Sequence, residues 1–186
     1  KADTPSSVYA SISAVDPVTG RVWFHGNRGG LSKLAEYDPI TDVWTIRNNS
    51  PGGIGLHLTA AIDPVRRKMV AVGGGNVYAW DINASGTITR NVLTTTGATE
   101  VTNGTEGQTG LVYDPVIDKF VAWNGGTDVY TLDMDTSVWT KHAPAPTNTV
   151  IPTAANGNGT YGRFRYSPSK NAFVVVNSVD QNVYIY

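Results

Sequence analysis

Apolar positions in this chain fall into short blocks cut by turn residues, not into a helical period. The clearest stretch is residues 107–140, GQTGLVYDPVIDKFVAWNGGTDVYTLDMDTSVWT. It reads as an apolar strand, an Asp-Pro turn, a second apolar strand, Gly-Gly, a Tyr-bearing strand, a tight turn and a Trp-bearing strand. The same unit appears four times. Its turn prolines are Pro17, Pro64, Pro115 and Pro168, spaced 47, 51 and 53 residues apart. The fifth residue after each is Val22, Met69, Phe120 or Phe173; the sixth is Trp23, Val70, Val121 or Val174; the ninth is Gly26, Gly73, Asn124 or Asn177. No gap is needed. Asp38, Asp81 and Asp133 close the third strands, and Trp44 and Trp139 each follow that Asp by six residues. Blade two has Thr87 or Ile88 in place of the Trp.

The second strands run apolar without alternation, as in Met69-Val70-Ala71-Val72 and Phe120-Val121-Ala122-Trp123. A strand with one wet face alternates; a continuous run is buried on both faces. Short four-stranded units repeating near every fifty residues therefore predict an all-β fold, a β-propeller of four-stranded antiparallel blades. The expected blades span 8–47, 56–93, 107–142 and 161–186, with 1–7 a loose polar end and the last blade short of its outer strand. Long polar loops, 94–108 and 143–160, separate the later blades and are expected to be functional or mobile.

At Gly-Gly, Tyr and Trp the repeats resemble the kelch repeat and the galactose-oxidase-like propellers built from it. Blade three carries Asn124-Gly125-Gly126, Val129-Tyr130 and Trp139; blade one carries Gly29-Gly30, Tyr37-Asp38 and Trp44; blade two keeps Gly73-Gly74 and Tyr78; blade four has Asn177-Ser178 instead of the glycines and ends at Tyr186. The resemblance implies Trp44 and Trp139 as blade-interface rings and a ring of six or seven blades, against four here. The remaining blades are expected from upstream sequence, a separate fragment or a second copy. The chain begins at Lys1 without Met, so upstream residues are expected to have been removed or never included.

Composition narrows the function. Twenty Gly, ten Pro and few charges suit a turn-rich all-β chain. A net charge of −1 gives no electrostatic case for nucleic acid or an anionic membrane, and no apolar run is long enough to span a bilayer. The absence of Cys excludes thiolate metal sites and disulfides. It also disfavours the copper radical oxidase to which the resemblance points, since that family's site needs a Cys cross-linked to a Tyr. Asp16, Asp63 and Asp114 precede the turn prolines and read as turn initiators, not a metal ring, since Ser167 takes the fourth place. Asp133–Ser137 imitates half a calcium loop but lacks its Gly and distal Glu, so it reads as a turn. Asn83, Asn103 and Asn158 head glycosylation-type triplets, which an Asn/Thr-rich chain yields by composition.

The resemblance places propeller ligands over the central channel. That selects His57, Gln108, Tyr161 and Arg163 at the innermost strand starts, and His25, Trp123, Asn124 and Asn177 near the second-strand ends. Aromatic faces with amide and guanidinium donors suit a sugar or a carboxylate. The competing bland reading makes Trp123 blade packing and pairs Arg163 and Arg165 with carboxylates. The function expected is a non-catalytic module binding a glycan or a protein, without a cofactor, on a secreted or cell-surface protein. The alternatives are a fragment of a propeller enzyme whose catalytic residues lie elsewhere, and an assembly module.

Overall fold

The computed structural model describes residues 1–27, 32–103 and 109–186. Gly29-Gly30, Gln108 and part of the Asn103 triplet lie outside the described residues. Four antiparallel sheets follow one another along the chain. Blade one holds β1 (Ile12–Val15), β2 (Val22–His25), β3 (Leu34–Asp38) and β4 (Val43–Asn48). Blade two holds β5 (Thr59–Asp63), β6 (Lys68–Gly73), β7 (Asn76–Asp81) and β8 (Asn91–Leu93). The loop after it supplies β9 (Thr96–Gly97), which joins blade three in parallel beside its outer strand. Blade three holds β10 (Gly110–Asp114), β11 (Lys119–Trp123), β12 (Val129–Asp133) and β13 (Val138–His142). Blade four has three strands, β14 (Phe164–Ser167), β15 (Ala172–Val175) and β16 (Tyr184–Ile185). Among the described residues the helical element is one 3-10 turn, Thr99–Thr102. The fold is a β-propeller.

The repeat register read from the prolines is the register of the ladders. Trp23, Val70, Val121 and Val174 pair with Ala14, Ala61, Val112 and Arg165, each three residues before its turn proline. These four face forward along the chain. Trp23 packs with Met69, Trp80 and Ile88 of blade two. Val70 packs with Phe120, Leu132 and Trp139 of blade three. Val121 packs with Phe164 and Val175 of blade four. Met69 to Val72 are fully enclosed because a blade lies on each side. Ile88, 2% exposed, fills in blade two the interface place that Trp139 fills in blade three.

The turns explain themselves. Asp16 Oδ1 accepts the Val18 N–H at 3.0 Å, Asp63 Oδ1 those of Val65 and Arg66 at 2.9 Å, and Asp114 Oδ1 that of Val116 at 2.8 Å. Three residues after each proline the chain turns left-handed, at Gly20, Arg67, Asp118 and Asn171. The Asp133 carboxylate likewise takes the Asp135 and Thr136 N–H groups, so the calcium-like stretch is a turn. Charges then tie blades together. Arg67 reaches back to Asp16, while Arg66 spans from Asp63 to Asp118 and Asp135 of blade three.

The two end blades differ from the expectation of burial on both faces. Blade one's rearward face carries Phe24, Tyr37 and Trp44, and the segment 1–7 lies across it: Ala2 N–H donates to Asp42 Oδ1 at 3.0 Å and Trp44 Nε1 to Ala2 O at 3.4 Å. Trp44 is thus half-buried on an end face and not, like Trp139, enclosed between blades. The segment expected to be loose is a cover. Blade four's forward face keeps Val176 and Ile185 open, at 44% and 72% exposure.

Candidate functional site

The innermost strands β1, β5, β10 and β14 stand side by side and border two cavities. One, of about 580 Å³, is ringed by the four turn prolines. The other, of about 160 Å³, opens at the strand starts and is lined by Ser11, Ser13, Thr59, Leu111, Tyr161 and Arg165. Backbone geometry at this second end repeats. Ala10, His57 and Tyr161 each lie seven residues before a turn proline, and each has a left-handed φ, of 51°, 59° and 49°. Gln108 has the same spacing in the third repeat. Bulky residues rarely hold that conformation, and where they do the surrounding structure fixes it. Of the three, Tyr161 lines the mouth of the second cavity.

Two of the expected residues meet there. Tyr161 Oη and His57 Nδ1 lie 2.6 Å apart, a hydrogen bond whose direction follows the imidazole tautomer. Their rings meet edge to face at 5.8 Å, and the Tyr9 ring also meets His57 edge to face, at 6.4 Å. Thr59 Oγ1 donates to the Tyr161 carbonyl at 3.2 Å, fixing blade four's entrance to blade two. Tyr9 and Tyr161 are exposed and His57 is half-buried. Tyr9 was not singled out from sequence; its approach to His57 is a tertiary contact that leaves no local pattern.

The other expected residues go elsewhere. His25 is fully buried, 5.3 Å from the Trp80 ring in the interface of blades one and two. Burial depresses its pKa to about 4, so it stays neutral. Trp123 is also fully buried, stacked on Phe164, with Nε1 donating to Gly126 O at 3.0 Å. Both stand two residues beyond the forward-facing Trp23 and Val121, so strand alternation turns them to the next blade and not to the channel. Asn177 Nδ2 donates to Thr153 Oγ1 and Ala154 O at 2.7 and 2.8 Å. It pins the loop 143–160, which also passes so close to Gly125 that a Cβ there would lie 2.8 Å from Ala155 N. Asn124 reaches Val101 O at 3.5 Å. Arg163 donates to Thr160 O and Gly159 O, and Arg165 to Gly162 O. The guanidinium groups hold loop carbonyls, and the expected ion pairs are not seen among the described residues. No group of three His, Cys, Asp or Glu among the described residues is placed to hold a metal ion.

No family profile and no curated protein sequence matches this chain. Solved structures do. A chain of a nidogen–laminin complex superposes with a TM-score of 0.61 at 15% identity, over 98% of this chain and 61% of that one. A Bacteroides thetaiotaomicron protein of unknown function gives 0.61 at 14%, over 99% and 42%. An auxiliary nutrient binding protein from Bacteroides ovatus gives 0.58 at 14%, over 89% and 45%. The chain thus spans less than two thirds of each. Identities this low speak for the propeller fold alone. No helix among the described residues is long and apolar enough to cross a membrane.

Proposed function

We propose that this chain is a kelch-like, non-catalytic binding module of a secreted or cell-surface protein, with a glycan resting over Tyr9, His57 and Tyr161. The observation that carries the reading is the 2.6 Å contact of Tyr161 with His57, made by two left-handed residues at matching places in different blades. Backbone strain kept at matching places, beside the exposed Tyr9 and Tyr161, fits a preorganised contact surface. Tyrosine rings offer C–H faces of a sugar an apolar platform, and the hydroxyls of Ser11, Ser13 and Thr59 border the mouth beside them. A glycan array probed with the chain and with Tyr161→Ala tests it. Binding to a defined glycan set that the variant loses supports the reading; equal binding by both overturns it.

A second reading concerns the ring. Val174 stands where Val70 and Val121 meet the following blade, yet Val176 and Ile185 around it are open. Together with the coverage of at most 61% of the similar chains, this supports further blades completing the propeller, from the same polypeptide, a fragment or a second copy. Sedimentation of the chain alone tests the second-copy form: a monomer at all concentrations removes it.

A further inference from the structure

Blade one breaks the repeat at His25. The residue eight places after each turn proline is His25, Val72, Trp123 or Val176, so the other three blades put an apolar side chain there. His25 is fully buried, yet neither ring nitrogen finds a hydrogen-bond partner. A neutral imidazole carries one donor and one acceptor, and burying both unpaired costs stability that a valine in that place does not. The packing of the blades itself therefore has no use for a histidine here.

The linker 49–58, between β4 and β5, passes beside the ring. Asn27, two residues beyond His25, clasps it: Nδ2 donates to Ile54 O and Gly55 O at 2.8 and 2.9 Å, and Oδ1 accepts the Ile54 N–H at 2.9 Å. From blade two Arg90 donates to Gly53 O, and Ile54 and Leu58 pack in one cluster with Trp80. The groups around the imidazole give a proton no counter-charge. β1 and β3 pair Ile12 and Leu34 with His25, the linker brings the Gly52 backbone, and blade two brings Trp80 and the cation Arg90, which opposes protonation. Glu36, further along β3, is taken by Arg21 and Arg47.

We propose that His25 is an acid-sensitive latch whose protonation releases residues 51–57 of the linker from the interface of blades one and two. The neutral ring fits the closed interface, where burial holds its pKa at about 4; a charged ring is stable only where water reaches it and its pKa returns to about 6.5. The open form therefore takes the proton first, and acid favours it. The released stretch ends at His57, which Tyr161 holds, so on the reading of the mouth given above the latch governs how firmly that site is kept. The latch itself stands without that reading.

Native-state amide exchange at pH 7 and pH 5, corrected for intrinsic rates, tests it without any ligand. The Ile54 amide, which Asn27 holds, is expected to be less protected than the β6 amides at both values, the mark of a local opening. Its protection should fall about twentyfold from pH 7 to pH 5. In His25→Leu it should not change with pH. The native chain decides the matter even where that variant folds poorly, because an NMR titration of its own imidazoles must place His25 well below the ordinary histidine value over the range in which Ile54 loses protection. Protection at Ile54 that is flat with pH in the native chain, or that equals protection in β6, would overturn the proposal. So would an equal fall in His25→Leu, which would put the titrating group at His57.

Discussion

Arg67 of blade two grips Asp16 of blade one through two hydrogen bonds of 2.7 and 2.6 Å. The carboxylate is fully buried in a turn whose Val18 N–H and Thr19 hydroxyl it also accepts. Burial alone would raise its pKa; the bonds from Arg67, Thr19 and Val18 outweigh that and hold it at about 2. Arg67→Ala leaves this charge buried and without its cation. The expected cost is about 3–5 kcal/mol, read from the denaturant midpoint. A change near zero would mean that water replaces the guanidinium without loss.

The two tryptophans of the outer strands should separate. Trp139 is enclosed between blades two and three, and Trp139→Ala is expected to cost about 3–5 kcal/mol. Trp44 lies half-buried on an end face under residues 1–7, and Trp44→Ala is expected to cost about 1 kcal/mol. Equal losses in chemical unfolding would show that blade one's rear face is packed like an interface.

Acid should weaken the fold in two stages. His25 has a folded pKa of about 4 against about 6.5 unfolded, because burial disfavours the charged ring. Between those values the unfolded chain binds the proton and the folded one does not, so stability falls as pH drops through that window. The expected loss is on the order of 3 kcal/mol, and His25→Leu should flatten it. Asp16 acts lower: its stabilisation, present above its unfolded value, is lost as pH falls toward 2. A flat stability profile from pH 6.5 to 4 in the native chain would contradict the burial of His25.

Much of the fold is legible in the residues, and the reason is local. The Asp-Pro turn, the left-handed residue three places on and the gapless strand after it are all decided within about ten residues, so the register of Trp23, Val70, Val121 and Val174 could be read off. Helix scarcity and the short fourth blade followed from the same pattern. The site was legible only in part. His57 and Tyr161 came into view through the resemblance, as residues at the innermost strand starts; their contact spans 104 positions and depends on how two blades are set against each other. Trp123 and His25 were singled out by their position near a strand end, with blade packing as the other reading of Trp123. Parity puts both in blade interfaces. The cover given by residues 1–7 had no signal: a short polar segment with a proline forms no strand, and its hold on Asp42 and Trp44 is a tertiary accident of the end face.

Removing the Tyr161 hydroxyl should spare the fold and harm recognition. Tyr161→Phe deletes one exposed hydrogen bond to His57, with an expected stability change within about 1 kcal/mol. The ring stays, so loss of glycan binding in this variant would assign a direct role to the hydroxyl or to the His57 orientation that it fixes. Unchanged binding would leave the ring face as the contact.

The most direct measurement is a two-dimensional NMR titration of the chain with a glycan selected on the array. The account expects saturable shifts centred on Tyr9, His57, Thr59 and Tyr161 at the mouth, with blade interfaces silent. Saturable shifts centred on the proline-ringed cavity or on the blade-four edge, with the mouth unmoved, would contradict it.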